Sequence, residues 1–88
     1  MNSYIISYDL MTPGKDYSSL ISAIKEYGTY AHILESVWVV KSSNNSSSIR
    51  DNLSQHMDSN DKLFVAKLTG EAAWKNVICT DKWLKDNL

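Results

Sequence analysis

The apolar positions fall into alternating strand-like and helix-like blocks. Near the N-terminus, Tyr4-Ile5-Ile6-Ser7-Tyr8-Asp9-Leu10 is a short apolar run with a carboxylate near its end. Its isoleucine and tyrosine content, with Pro13-Gly14 soon after, predicts a strand. Met11 to Lys15 reads as a turn-forming loop, and Asp16 stands where a helix cap is needed. Tyr17, Leu20, Ile21, Ile24 and Tyr27 then recur at helical spacing, and Gly28 follows the last of them. This predicts an amphipathic helix with a glycine stop. From Thr29 to Lys41 the residues turn β-like around Glu35-Ser36. A hairpin or a strongly bent strand pair is expected there, with Val37 to Lys41 as a buried strand.

Ser42 to Ser48 is a run of seven small polar residues. Such residues hydrogen-bond their own backbone, so the expectation is a mobile loop that opens a helix. A phosphate cradle is the alternative, since amides at a helix start bind anions, although the run has no glycine or lysine. Ile49, Leu53, His56 and Met57 share the face of a second helix, Asp58 to Asp61 makes a turn, and Leu63 to Leu68 makes another strand. The order strand, helix, two strands, helix, strand predicts an α+β fold of the ferredoxin-like type. It places both helices on one face of a four-stranded antiparallel sheet. Residues 1–70 are expected to form this domain. Residues 71–88 read as a C-terminal extension in which Thr80 caps a short helix and Trp74 and Trp83 pack on the sheet or a partner chain.

Composition narrows the function classes. Eighty-eight residues make one domain with a thin core, so dimerisation is a ready way to bury more surface. No apolar run approaches 18 residues and no basic-then-apolar leader opens the chain, so a soluble, cytosolic protein without membrane contact is expected. The single cysteine, Cys79, excludes an internal disulfide and a cysteine-rich zinc site. Nine basic and ten acidic residues give a net charge of −1, and Arg50 is the only arginine. That balance leans against duplex binding, which draws on a surplus of cations. A dimer that aligned Lys15, Lys41, Lys62 or Lys67 along one groove would still present one.

Candidate chemistry is sparse. Asp9 is either a catalytic carboxylate or a solvated strand-end acid. Tyr8 points to the opposite face of the strand, whereas Ser7 shares the face of Asp9. Ser7 is therefore either a ligand-side hydroxyl or a small residue suited to close packing. His32 and Glu35, three apart, make a poor metal pair on a strand. His32 reads as an exposed or interface residue and His56 as a helix-end residue beside the core. Tyr4, Tyr30 and Trp38 form either an aromatic sheet surface that stacks bases or the packing face of a dimer. A weakly charged aromatic dimer cleft would also suit a small nucleotide.

In order, YIISYDL, the helix ending in KEYG, the segment YAHILESVWVVKS and the strand DKLFVAKL resemble the small CRISPR-associated adaptation protein, second of its series. The likeness is nearest to its SinR-like bacterial and phage relatives and more distant to virulence-associated protein D, a toxin-type ribonuclease. It spans roughly residues 2–70. The resemblance implies a homodimer with the two sheets facing each other. It further implies that Asp9, near the dimer axis, binds Mg²⁺ or Mn²⁺ for phosphodiester cleavage, chemistry that paired carboxylates can support. The basic residues that usually follow this aspartate in the family are replaced by Met11-Thr12-Pro13-Gly14, with Lys15 the first cation.

Two functions are thus expected. One is a nucleic-acid-directed homodimer, either a metal-dependent nuclease or its inactive scaffold relative, with Asp9 catalytic and Ser7, Tyr4, Tyr30, Trp38, Lys15 and Arg50 toward the ligand. The other is a non-enzymatic module that sequesters a nucleotide-type ligand or a protein partner in an oligomer cleft.

Overall fold

The computed structural model describes residues 1–12 and 14–88; Pro13, in the expected turn-forming loop, lies outside the described residues. The elements are β1 (Asn2–Asp9), α1 (Ser18–Lys25), β2 (Tyr30–Leu34), β3 (Val37–Ser42), α2 (Ser46–Ser54), β4 (Lys62–Leu68) and α3 (Asp81–Asn87). The four strands form one sheet in the order β2-β3-β1-β4, with every pair antiparallel. This is the ferredoxin-like α+β arrangement, with β1 and β3 central and β2 and β4 at the edges.

Strand parity divides the core in two. Successive side chains alternate between faces, so Tyr4, Ile6 and Tyr8 point one way and Ser3, Ile5, Ser7 and Asp9 the other. The first set, with Trp38 and Val40 of β3, is buried against Leu20, Ala23 and Ile24 of α1 and Ile49 and Leu53 of α2. The apolar stripe of α1 explains its docking: Leu20 and Ile24 are fully buried, while Tyr17, Ile21 and Tyr27 pack at the margin. After α1 the chain reverses through Gly28 at φ +89°, a conformation that costs glycine little and other residues more.

The Ser42–Ser48 run is a short connection that opens a helix: residues 43–45 link the two elements and residues 46–48 form the first turn of α2. β3 ends at Ser42 and α2 begins at Ser46. Asn45 caps the helix, its Oδ1 accepting from the Ser48 amide (2.9 Å) and the Ser47 hydroxyl (2.9 Å). The serines that favour turns also satisfy helix N-termini, and here the second role prevails.

The C-terminal segment covers part of the other sheet face. It leaves β4 past Gly70 and crosses to the outer edge of β2, where the Ile78 amide donates to the Ile33 carbonyl at 2.9 Å. Thr80 then caps α3, its Oγ1 accepting from the Trp83 amide at 3.1 Å. Leu84 is buried against Ala31, Ile33 and Val39, with Trp74, Val77 and Trp83 packed around them. The Ser3 hydroxyl donates to the Asn87 carbonyl and ties the end of α3 to β1. Among the described residues no helix is long and apolar enough to cross a membrane.

Candidate functional site: the open end of the sheet

The C-terminal segment leaves the Asp9 end of β1 and the facing end of β4 uncovered. Register pairs Ser7 with Phe64 and Asp9 with Lys62. All four side chains project on the face away from α1 and α2. Asp9 and Lys62 are exposed and Ser7 is half-buried. Phe64 is 64% exposed, an unusual state for a large ring in the middle of a strand. A shallow depression of about 140 Å³ joins Ser7, Asp9, Lys62 and Phe64. Phe64 also borders a second groove of about 230 Å³, between β4 and the start of α2, lined by Ser46, Ser47 and Arg50.

The loop after Asp9 is held by an acidic turn. Asp61 accepts from the Met11 amide (2.7 Å) and from the Tyr17 hydroxyl (3.0 Å). Its second oxygen takes the Asp58 amide at 2.8 Å. Asp58 in turn accepts from Thr12 Oγ1 at 3.2 Å and binds Lys15 Nζ at 2.5 Å. The Met11 amide above all, with the Asp58 amide, the Tyr17 hydroxyl and the Lys15 charge, holds the Asp61 carboxyl below its ordinary pKa, against the opposing effect of burial. The hydrogen bond that the Lys15 ammonium donates to Asp58 pushes its pKa above the ordinary value. This clasp joins the β1–α1 loop to the α2–β4 turn beside Asp9.

Several expected site residues lie elsewhere. Tyr4 and Trp38 are 4% and 3% exposed beneath the helices, so they are core side chains and build no aromatic binding surface. The physical reason is parity: their register places them on the helix-covered face. Trp38 Nε1 donates to the Tyr8 hydroxyl at 3.1 Å, and His32 stacks on the indole with ring centroids 4.2 Å apart. Tyr30 is partly exposed but leans on Trp38 at the β2 edge, with centroids 6.0 Å apart. Lys15 is consumed by the clasp. Arg50 borders the Phe64 groove, with Nε and one terminal nitrogen directed at Asp51, each at 2.9 Å. Within one protomer the four lysines do not share a groove: Lys41 and Lys67 line one at the opposite end of β1, far along the strand from Lys62. His32 and Glu35 form no metal pair, since the imidazole Nε2 meets the Glu35 backbone carbonyl at 3.0 Å.

Phe64 is the residue that sequence reasoning passed over, and Lys62 entered it only as one of four lysines for a dimer groove. Their signal was the alternation in Lys62-Leu63-Phe64-Val65, which sets Leu63 and Val65 toward the helices and the other two outward. That signal acquires meaning only once β4 is known to pair with β1. Asp9 and Lys62 enter no ion pair among the described residues, so both charges remain open to a ligand. Among the same residues, no three Asp, Glu, His or Cys side chains are grouped to hold a metal ion. One carboxylate opposed by a lysine is a poor donor set for Mg²⁺, which binds through carboxylates and retained waters. Cys79, half-buried within the C-terminal segment, has its thiol pKa raised by burial, which disfavours the nucleophilic thiolate. No protein-family model matches the chain.

Proposed function

We propose that the protein binds single-stranded nucleic acid or a nucleotide across the open end of its sheet, without cleaving it within one protomer. Phe64 serves as the stacking platform, Lys62 contacts phosphate, and Ser7 and Asp9 offer hydrogen bonds to sugar or base. The observation that carries this reading is the exposure of Phe64 on an uncovered sheet face, flanked by an unpaired cation and an unpaired carboxylate. An aromatic ring stacks on any base, and such stacking is worth about 1–3 kcal/mol per base. A single outward lysine with a net charge of −1 suits a short or single-stranded ligand better than a duplex. The resemblance of the strand and helix segments to the CRISPR-associated adaptation group points to the same ligand class.

Fluorescence anisotropy with labelled single-stranded RNA and DNA, and calorimetry with mononucleotides, separate the ligand classes. Phe64→Ala should weaken binding by about 5- to 150-fold, the equivalent of one lost stacking contact. Lys62→Glu should reduce the salt dependence as well as the affinity. Wild-type protein that binds none of these ligands sinks the proposal. Metal-dependent cleavage, through a Mg²⁺ or Mn²⁺ shared by the Asp9 carboxylates of two copies, is the second reading. The free, exposed Asp9 favours it, and it needs two sheets face to face. Cleavage that disappears in Asp9→Ala while oligonucleotide binding persists would establish it in place of the non-cleaving proposal.

A further inference from the structure

β4 is an edge strand of seven residues, and among the described residues no strand flanks its outer side. Natural edges are usually blunted by proline, a bulge or inward charge, because unpaired amides and carbonyls recruit other strands. In β4 the charges are Lys62 and Lys67, near its two ends, and Lys67, on the helix-covered side opposite Tyr4, is such an inward charge; the centre, Leu63-Phe64-Val65-Ala66, carries no such guard. Nor does α2 close this edge, since the groove lined by Ser46, Ser47 and Arg50 runs beside Leu63, Phe64 and Val65.

We infer that β4 pairs antiparallel with β4 of a second copy of this chain, about a two-fold axis through Val65, to make one continuous eight-stranded sheet. The occupant follows from self-complementarity. A two-fold normal to the sheet keeps each face with its own kind, so it must pass through a residue position. Centred on Lys62 or Lys67, it would oppose two like charges, which is destabilising. Centred on Val65, it pairs all seven residues and sets each lysine against a leucine: Lys62 opposite Leu68, and Lys67 opposite Leu63. It also places the two Phe64 rings as diagonal neighbours, about 7–8 Å apart and within aromatic reach. Both helix layers then lie on one side, as a two-fold normal to the sheet requires, and the interface is isologous.

This pairing has a consequence for Asp9. Six residues of strand rise and three strand spacings would hold the two Asp9 side chains about 25 Å apart, too far to share a metal. The two Phe64 platforms instead adjoin on one open face. A seven-residue edge buries less than the roughly 800 Å² per partner of a standard interface, so the dimer is concentration-dependent.

Sedimentation velocity across a concentration series should show a monomer–dimer equilibrium. Val65→Cys in a Cys79→Ser background should form a disulfide-linked dimer on oxidation, whereas Asp9→Cys in that background should not. Phe64→Glu, at an exposed position, should weaken dimerisation at least tenfold; should that variant misfold, the cross-link at position 65 decides. A wild type that stays monomeric to sub-millimolar concentration overturns the inference. So does a dimer that cross-links through position 9, or through neither position. The inference does not depend on the ligand. A monomer that binds oligonucleotide defeats the edge pairing alone, and a cross-linked dimer without oligonucleotide affinity defeats only the binding proposal.

Discussion

Asp61 shows how one side chain can organise a site that it does not enter. Its carboxylate gathers two amides and a hydroxyl, so the charged form is favoured in the fold and its pKa lies below the usual 3.8. A carboxyl with a depressed folded pKa adds stability above its unfolded pKa, and that contribution fades as pH falls through the folded value. Asp61→Ala should therefore lower Tm clearly at pH 7, and the gap from wild type should narrow as pH drops below the ordinary carboxylate value. Thermal melts at both ends of that range check this; a gap that stays constant with pH would assign the loss to packing alone. Tyr8 and Trp38 carry a different lesson. Their buried hydroxyl–indole hydrogen bond satisfies polar atoms that would otherwise be costly beneath the helices. From residue types Trp38, with Tyr4 and Tyr30, read as either a base-stacking surface or the packing face of a dimer, but the two faces of a strand accept the same residue types when one lies under helices.

At the scale of elements, α1 and the β2–β3 hairpin were legible because periodicity is local. The stripe from Tyr17 to Tyr27 and the stop at Gly28 report a helix whatever lies around it. The serine run was harder, because its residues suit a loop and a helix start equally well. What decided it was the Asn45 side chain reaching the Ser48 amide. Asn45→Ala should cost about 1 kcal/mol, read as a shift of the urea midpoint with unchanged slope. An unaltered midpoint would mean that solvent satisfies those amides as well as the cap does. The C-terminal extension lay at the limit of the sequence reading. Its tryptophans signalled packing, but whether they met the sheet or another chain depended on the path from Gly70 to Ile78.

For the whole molecule, the decisive fact is how much of the second sheet face remains open. Leu84 and its neighbours cover β2, β3 and the Ser3 end of β1, and the other end of β1 and β4 is left bare. Truncation after Gly70 should expose Ala31, Ile33 and Val39 to water. Lower Tm and new binding of an apolar dye are the expected results, since roughly 25 cal/mol is lost per Å² of apolar surface uncovered. An unchanged melt would mean that the extension only rests on the sheet. The same distribution of cover concentrates Phe64, Lys62 and Asp9 at one end, where the ligand-binding proposal and the β4 edge both lie.

Taken alone, the sequence determined the order of elements, the ferredoxin-like α+β class and the face that α1 presents. These follow from spacing within ten or so residues. Of the face expected for α2 only Ile49 and Leu53 lie on the helix, which ends at Ser54 before His56 and Met57. The sequence also placed Ser7 with Asp9, and Tyr8 opposite, because side-chain alternation is a property of any strand. Only the tertiary structure decided which face the helices would take, and with it the burial of Tyr4 and Trp38. Only strand pairing brought Phe64 and Lys62 beside Ser7 and Asp9, a contact between the two ends of the fold that no local pattern encodes. Only the α2–β4 turn decided that Lys15 would hold a loop in place of a ligand.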